Sequence, residues 1–265
     1  MRVCSIASGS NGNCIYAGSD DTHILIDCGI SGKRVEKGLN EIGLTAKDIN
    51  GMLITHEHSD HIQGLGVLAR RHGIPMYMTE GTLRYVNRCS SLGKIPEGLI
   101  KVIKADHDFS IGDVQVQPFT ISHDANEPVG YRVSTDNKSM AVATDMGVFD
   151  EYIIGHLLNL DMILLEANHD VRMLEAGPYP YQLKQRILSD HGHLSNETAG
   201  HLLNEILHDD MKHIILGHLS GENNYPALAY ETVCSEITMS DSKYKASDFH
   251  ITVARRDASG ELIEW

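Results

Sequence analysis

Positive charge, paired cysteines and long apolar runs are what this 265-residue sequence has least of. No apolar run approaches the roughly 20 residues with which a helix crosses a bilayer, which argues against a helical membrane protein. The opening MRVCSIASGS holds one arginine and no continuous apolar stretch of the export-signal kind, so the expected location is the cytoplasm. Cys4, Cys14, Cys28, Cys89 and Cys234 are odd in number, widely spread and never spaced as CxxC. That spacing argues against a disulfide framework or a thiolate zinc knuckle and for reduced, mostly buried thiols. Lys and Arg total 22 against 36 Asp and Glu, a formal net charge of -14. Coating nucleic acid nonspecifically needs net positive surface, so that role is disfavoured, while local binding at a few cations or bound metal ions stays compatible.

Histidine is plentiful, with 16 residues, and it is the commonest metal-binding side chain. A hydrophobic content of 42% with 24 glycines is enough for a full core. Short β-branched or aliphatic runs alternate with longer amphipathic stretches without linker, repeat or low-complexity segment, which predicts a single α/β domain over residues 1–265. Strands are expected at 2–6, 23–26, 51–54, 114–121, 140–143, 161–165 and 213–216. Helices are expected at 61–72, with Ile62, Leu65, Leu68 and Ala69 on one face and a stop at Gly73 and Pro75, and at 196–208 behind the cap Ser195. The residue after each apolar run repeats one theme: ILI leads to Asp27, MLIT to His56, FTIS to His123, AVAT to Asp145 and IILG to His218. Strands whose carboxyl ends point the same way would gather these residues at one sheet edge, where α/β folds place their ligands.

THEHSDH, Thr55 to His61, puts four potential ligands (His56, His58, Asp60 and His61) into six residues at a strand-to-helix junction. Crowding imidazoles and a carboxylate there is costly unless a cation holds them. One catalytic metal site takes three or four N/O ligands with a position left for water, and two adjacent sites need about twice that number. His123, Asp145 and His218 supply the remainder, and the His/Asp set suits Zn, Mn or Fe alike.

HxHxDH followed by separate His, Asp and His at strand ends resembles the metallo-β-lactamase superfamily, and the order and spread match over nearly the whole chain. The resemblance implies a four-layer αβ/βα sandwich with two divalent metal ions. It implies His56, His58 and His123 at the first ion, Asp60, His61 and His218 at the second, and Asp145 bridging, with Asp60 and Asp145 serving catalysis as well. Asp27 matches the family's early Asp and would orient a ligand imidazole from behind. SGSNGNC (8–14), LLEANHD (164–170), GPYP (177–180), GHLSN (192–196) and LGHLSGENN (216–224) narrow the resemblance to the YycJ or WalJ branch, associated with exonuclease activity on DNA.

That branch implies a dinuclear metal-dependent phosphodiesterase, a 5′-to-3′ exonuclease acting on DNA ends with a metal-bridging hydroxide as nucleophile. His193 is the first candidate for the proton donor and His169 the second. Residues 8–13 read either as a backbone nest for a terminal phosphate, with Ser8, Ser10, Asn11 and Asn13 beside substrate, or as a hairpin turn at Asn11-Gly12. Asn168, Ser220, Asn223 and Asn224 are candidates for substrate contacts, with plain loop satisfaction as the alternative. Two cationic stretches, Arg84, Arg88, Lys94, Lys101 and Lys104, then Arg172, Lys184 and Arg186, would let a strand follow them or would form solvated faces. Arg172 and Arg186 are the substrate-binding candidates among them. His23, His72, His107, His156, His201, His208, His213 and His250 lack partner spacing and read as structural or surface residues. The same scaffold supports hydrolysis of thioesters, lactones, β-lactams and small or cyclic phosphodiesters, which are the enzymatic rivals. The short tail ARRDASGELIEW gives a thioesterase no basic substrate domain, and the missing export signal disfavours a β-lactamase. Retention of His58 and of every other expected ligand argues against a diiron redox protein or a purely binding scaffold.

Overall fold

A computed structural model describes all 265 residues. The chain forms two compact units, the first from residues 1–120, 125–138 and 255–265 and the second from 121–124 and 139–254. The first unit opens with β1 (Arg2–Ala7), β2 (Cys14–Gly18) and β3 (His23–Ile26), an antiparallel meander. There follow α1 (Gly32–Glu41), β4 (Gly51–Leu53), α2 (Ser59–Ile62), α3 (Leu65–His72), β5 (Met76–Thr79), α4 (Glu80–Val86) and β6 (Ile100–Ile103). β3, β4, β5 and β6 run parallel, so their carboxyl ends share one edge. β7 (Phe109–Ile111), β8 (Val114–Thr120) and β9 (Val129–Thr135) form a second antiparallel meander.

The second unit takes β10 (Lys138–Ala143) from its second residue, then α5 (Glu151–Leu157), β11 (Met162–Glu166), α6 (Val171–Ala176), α7 (Tyr181–Ile187), α8 (Asn196–Ile206), β12 (His213–Gly217), α9 (Pro226–Met239) and β13 (His250–Val253). β10 to β13 pair in that order, all parallel. The chain ends in the first unit with β14 (Ile263–Glu264), completing a seven-stranded sheet ordered β14-β1-β2-β3-β4-β5-β6. Strands β2, β4 and β11 are buried along their whole length, which is why they read as unbroken apolar runs instead of alternating ones. In the first unit, Leu25, Met52 and Ile54 join a core with Val35 and Leu39 of α1 and Leu65 and Leu68 of α3. No helix is long and apolar enough to cross a membrane.

All seven expected strands are present with small shifts at their ends, and the expected 196–208 helix is α8, where the Ser195 hydroxyl accepts from Thr198 N at 3.1 Å. The expected 61–72 helix divides into α2 and α3. An uninterrupted helix would bond Gly64 N to Asp60 O. Instead Asp60 O accepts from Asn13 N (2.8 Å), Gly64 N donates to Cys28 O (2.7 Å), and helical bonding resumes from Leu68 N to Gly64 O (3.1 Å). The loops approach so closely that a Cβ on Gly29 would lie 1.5 Å from Asp60 O. The helix stop at Gly73 is as expected, with a left-handed φ of 68°.

Candidate metal centre

In the first unit, parallel β3 and β4 deliver Asp27 and the Thr55–His56 pair to the same sheet edge. Asp27 adopts a left-handed φ of 60°, a conformation that Asp tolerates better than most residues. Its Oδ1 accepts from Thr55 N (2.9 Å) and the Thr55 hydroxyl (3.1 Å), while Oδ2 accepts from His61 Nδ1 (2.7 Å). His56 Nδ1 donates in turn to Thr55 Oγ1 at 3.0 Å. Both imidazoles are thereby fixed with the proton on Nδ1 and the lone pair on Nε2, the form that binds a cation. His61 Nε2 lies 3.4 Å from Asp60 Oδ2, and the His56 ring centroid is 4.6 Å from that of His58 and 4.1 Å from that of His61. His56 and His61 are buried, whereas His58 and Asp60 are half-buried. Glu57, inside the same motif, turns the other way: its Oε1 accepts from Asn126 N (2.8 Å) and its Oε2 from the Thr82 hydroxyl (3.4 Å).

The 8–13 segment closes as a turn, Gly12 N donating to Gly9 O at 2.9 Å, with Ser10 and Asn11 exposed at its tip and Ser8 buried. Asn13 is buried too, and its amide is spent on the HxHxDH loop. Its Nδ2 donates to His61 Nε2 (3.1 Å) and Asp60 Oδ2 (3.5 Å), while its Oδ1 accepts from Gly9 N (3.0 Å).

In the second unit, parallel β10 and β12 lead at their carboxyl ends to Asp145 and His218, and β11 between them ends on Glu166. Asp145 and His218 again take left-handed φ values, 61° and 55°. Such outliers cost about 1–3 kcal/mol each and persist where surrounding contacts dictate them, characteristically at functional sites. Asp145 Oδ1 lies 3.5 Å from His218 Nε2, 3.7 Å from His123 Nε2 and 3.7 Å from His193 Nδ1. One ligand atom each from Asp145, Glu166, His193 and His218 falls within 4.8 Å of the others.

Glu166 is fully buried and makes four hydrogen bonds. Oε1 accepts from Nδ1 of both His193 and His218 at 2.8 Å, and Oε2 accepts from Met146 N (2.9 Å) and Leu194 N (3.2 Å). Burial pushes its carboxyl up, but the neighbouring His193 and His218 more than offset this and hold it below the usual carboxylate range. The sequence expectation omitted Glu166, although the strand-end rule that selected Asp27, His56, Asp145 and His218 applies equally to ILLE.

His123 follows β8 and is held by residues 186–192. Its Nδ1 donates to Gly192 O (3.1 Å), Asp124 N to His191 O (3.2 Å) and the Ser122 hydroxyl to Asp190 O (2.7 Å). Arg186, on α7, forms a two-pronged ion pair with Asp124, its Nη2 lying 3.0 Å from Oδ1. Lys184, on the same helix, donates to Glu175 O at 2.7 Å, and Arg172 is exposed on α6.

Asn168 donates to His218 O (2.8 Å), Ser220 Oγ accepts from Asn223 N (3.1 Å), and Asn224 Nδ2 donates to Ala167 O (2.9 Å), so these side chains hold the two loops together. His169 is buried with no partner at either ring nitrogen, and burial pushes its pKa down to about 4. Of the basic residues before β7, Arg84 lies on α4 and Lys101 on β6, both in the first unit. Imidazole nitrogens and carboxylates with no Lys or Arg among them are a donor set that fits divalent ions such as Zn or Mn.

The sequence profile of the Beta-lactamase superfamily domain matches residues 22–218. The exodeoxyribonuclease WalJ of Streptococcus pneumoniae serotype 2 (strain D39) is 42% identical over 264 residues, 100% of this chain and 98% of that protein. The exodeoxyribonuclease YycJ of Bacillus anthracis is 41% identical over 233 residues, 88% of each chain. The crystal structure of YhfI from Bacillus subtilis, a metallo-beta-lactamase fold protein, matches with a TM-score of 0.71 at 17% identity, covering 100% of this chain and 98% of that one. That match shows the fold.

Proposed function

The chain belongs to the metallo-β-lactamase superfamily, and on that premise we propose that it is a dinuclear metal-dependent 5′-to-3′ exonuclease of DNA, with its two compact units acting as one domain. His56, His58 and His123 would hold one ion, Asp60, His61 and His218 the other, and Asp145 both. Bound divalent ions supply the positive charge that polarises a phosphodiester and acidifies water.

The chain's own residues prepare that chemistry. Asp27 and Thr55 fix the protons of His61 and His56 on Nδ1, and Glu166 does the same for His218, so each ring turns its Nε2 outward. Glu166 also holds the Nδ1 proton of His193, so the proton that would pass to the departing oxygen is the one carried on Nε2 by the doubly protonated ring, which is left neutral with its Nδ1–H still on Glu166. His193 fits that role better than His169: the His193 side chain is 16% exposed, whereas His169 is 1% exposed and neutral at pH 7.

The observation that carries the substrate is the 41–42% identity, over 88–100% of this chain, to two proteins named exodeoxyribonuclease, in a chain that keeps every ligand of the family motif. The test compares a 5′-phosphorylated DNA strand, RNA, bis(p-nitrophenyl) phosphate, a glutathione thioester and a β-lactam under one Mn or Zn condition. Phosphodiesters should dominate, with early release of 5′ mononucleotide from end-labelled DNA. A thioester preferred by a wide margin would remove the nuclease function, and rapid cutting of a circular single strand would remove the requirement for an end. Elemental analysis after reconstitution should find two ions per chain.

A further inference from the structure

Apart from the His/Asp residues, the first unit carries a groove of about 480 Å³ lined by β6, β7, the turn joining them and Tyr77 of β5. β6 is the last strand of its sheet, and β7 pairs only with β8, so both present open edges. The floor is apolar and aromatic: Tyr77 and Phe109 stack on each other with centroids 5.1 Å apart and planes 10° from parallel. Val102 stands beside them, 51% exposed. Lys101 and Lys104 are exposed at the rim, and their ammonium groups enter no hydrogen bond or ion pair. The one carboxylate in the lining, Asp108, is engaged by Gln117 Nε2 at 2.7 Å. In a chain of net charge -14, two uncommitted lysines three residues apart are a local attraction for an anion.

We propose that this groove binds a nucleotide, its base lying against Val102 and the Tyr77–Phe109 pair and its phosphate taken by Lys101 and Lys104. The ligand must combine a flat ring with an anionic group. An acidic peptide would meet the lysines and leave the apolar floor uncovered, and an uncharged aromatic would leave the lysines unused. Bases stack on aromatic side chains whatever their sequence, and ammonium groups take phosphates as point charges. The volume lies within the roughly 300–1,000 Å³ of small-ligand sites. The nucleotide is either free, as hydrolysis of a strand would leave it, or a unit of a strand bound beyond the end being cut. The choice between those sources rests on the nuclease function proposed above, whereas binding itself does not.

The test is an NMR titration of methyl-labelled full-length protein with dAMP, inorganic phosphate, and a phosphorothioate-linked (dA)8 that resists hydrolysis. Ring current from the base should shift the Val102 methyl resonances, and phosphate alone should bind at least about tenfold more weakly than dAMP because it forgoes stacking. Lys101→Ala/Lys104→Ala should weaken the Val102-reported binding about tenfold and leave hydrolysis of bis(p-nitrophenyl) phosphate unchanged. Binding of dAMP tighter than that of the octamer identifies the free nucleotide, and the opposite order identifies the strand. Absence of a Val102 shift with both ligands, or equal affinity in wild type and double variant, overturns the proposal. A protein that cleaves no DNA but shows the shift keeps this site and loses the nuclease function. One that cleaves DNA without the shift does the reverse.

Discussion

Replacing Glu166 by Gln keeps the shape of the side chain and converts one of its two oxygens into an N–H donor. All four groups around the carboxylate are donors, two imidazole Nδ1–H at Oε1 and two backbone N–H at Oε2. Whichever way the amide turns, one pair of buried donors faces its NH2 and loses an acceptor. At about 1–3 kcal/mol for each buried donor left unsatisfied, the cost is about 2–6 kcal/mol. If the amide oxygen stays with the imidazoles, the loss falls on Met146 N and Leu194 N and lowers stability. If it turns away, the proton of His218 is no longer held on Nδ1, and metal affinity drops about 10–100-fold, the usual effect of removing a group that orients a metal-binding histidine. Urea unfolding and a chelator-competition titration of Zn on the same preparation separate the two outcomes. Glu166→Asp, which keeps the charge but withdraws it, should fall between wild type and Glu166→Gln. A Glu166→Gln protein with the wild-type urea midpoint and metal affinity within twofold would show that this carboxylate does not hold the two imidazoles.

Arg186→Ala and Arg172→Ala should separate in kinetics, because Arg186 is paired with Asp124 next to His123 while Arg172 stands exposed on α6. Arg172→Ala should raise KM with kcat nearly unchanged, and Arg186→Ala should lower both kcat and metal affinity several-fold; an Arg186→Ala effect confined to KM would make that guanidinium a substrate ligand instead. His169, whose pKa burial pushes from 6.5 to about 4, binds its proton more weakly folded than unfolded. Stability is therefore full above about pH 6.5 and falls as pH drops toward 4, by about 2 kcal/mol at pH 5 relative to pH 8. Urea midpoints at pH 8 and pH 5 should converge on a shallower slope in His169→Gln, and identical slopes in the two proteins would show that this imidazole does not titrate low.

Much of the fold was legible in the sequence, and so was the adjacency of four of the seven proposed ligands, because their causes are local. His56, His58, Asp60 and His61 are tied together by six residues of chain, and no packing could separate them far. Unbroken apolar runs marked β4 and β11 because both faces of those strands are buried, and a polar residue after each run marked the edge toward which parallel strands point. The left-handed conformations of Asp27, Asp145 and His218 are compatible with the residue types at those strand ends, since Asp and His enter that region more readily than branched side chains.

What the tertiary structure alone decided is which distant groups meet. The 61–72 apolar pattern has the helical period throughout, yet the helix breaks, because Asn13 and Cys28 take the backbone groups of Asp60 and Gly64 that would have bonded to each other. Nothing in the spacing of Glu166, His193 and His218 shows that one carboxylate serves both imidazoles; strand register in β11 and β12 and the path of residues 186–194 bring them to 2.8 Å. Arg186 read as a substrate-binding candidate and His169 as the second candidate proton donor, and only the structure shows Asp124 beside the one and the burial of the other. A sequence sets which chemistry is present and what adjoins it along the chain. Through-space pairing and desolvation depend on how the loops pack, and those two effects decide which of several candidate histidines is held, charged or buried.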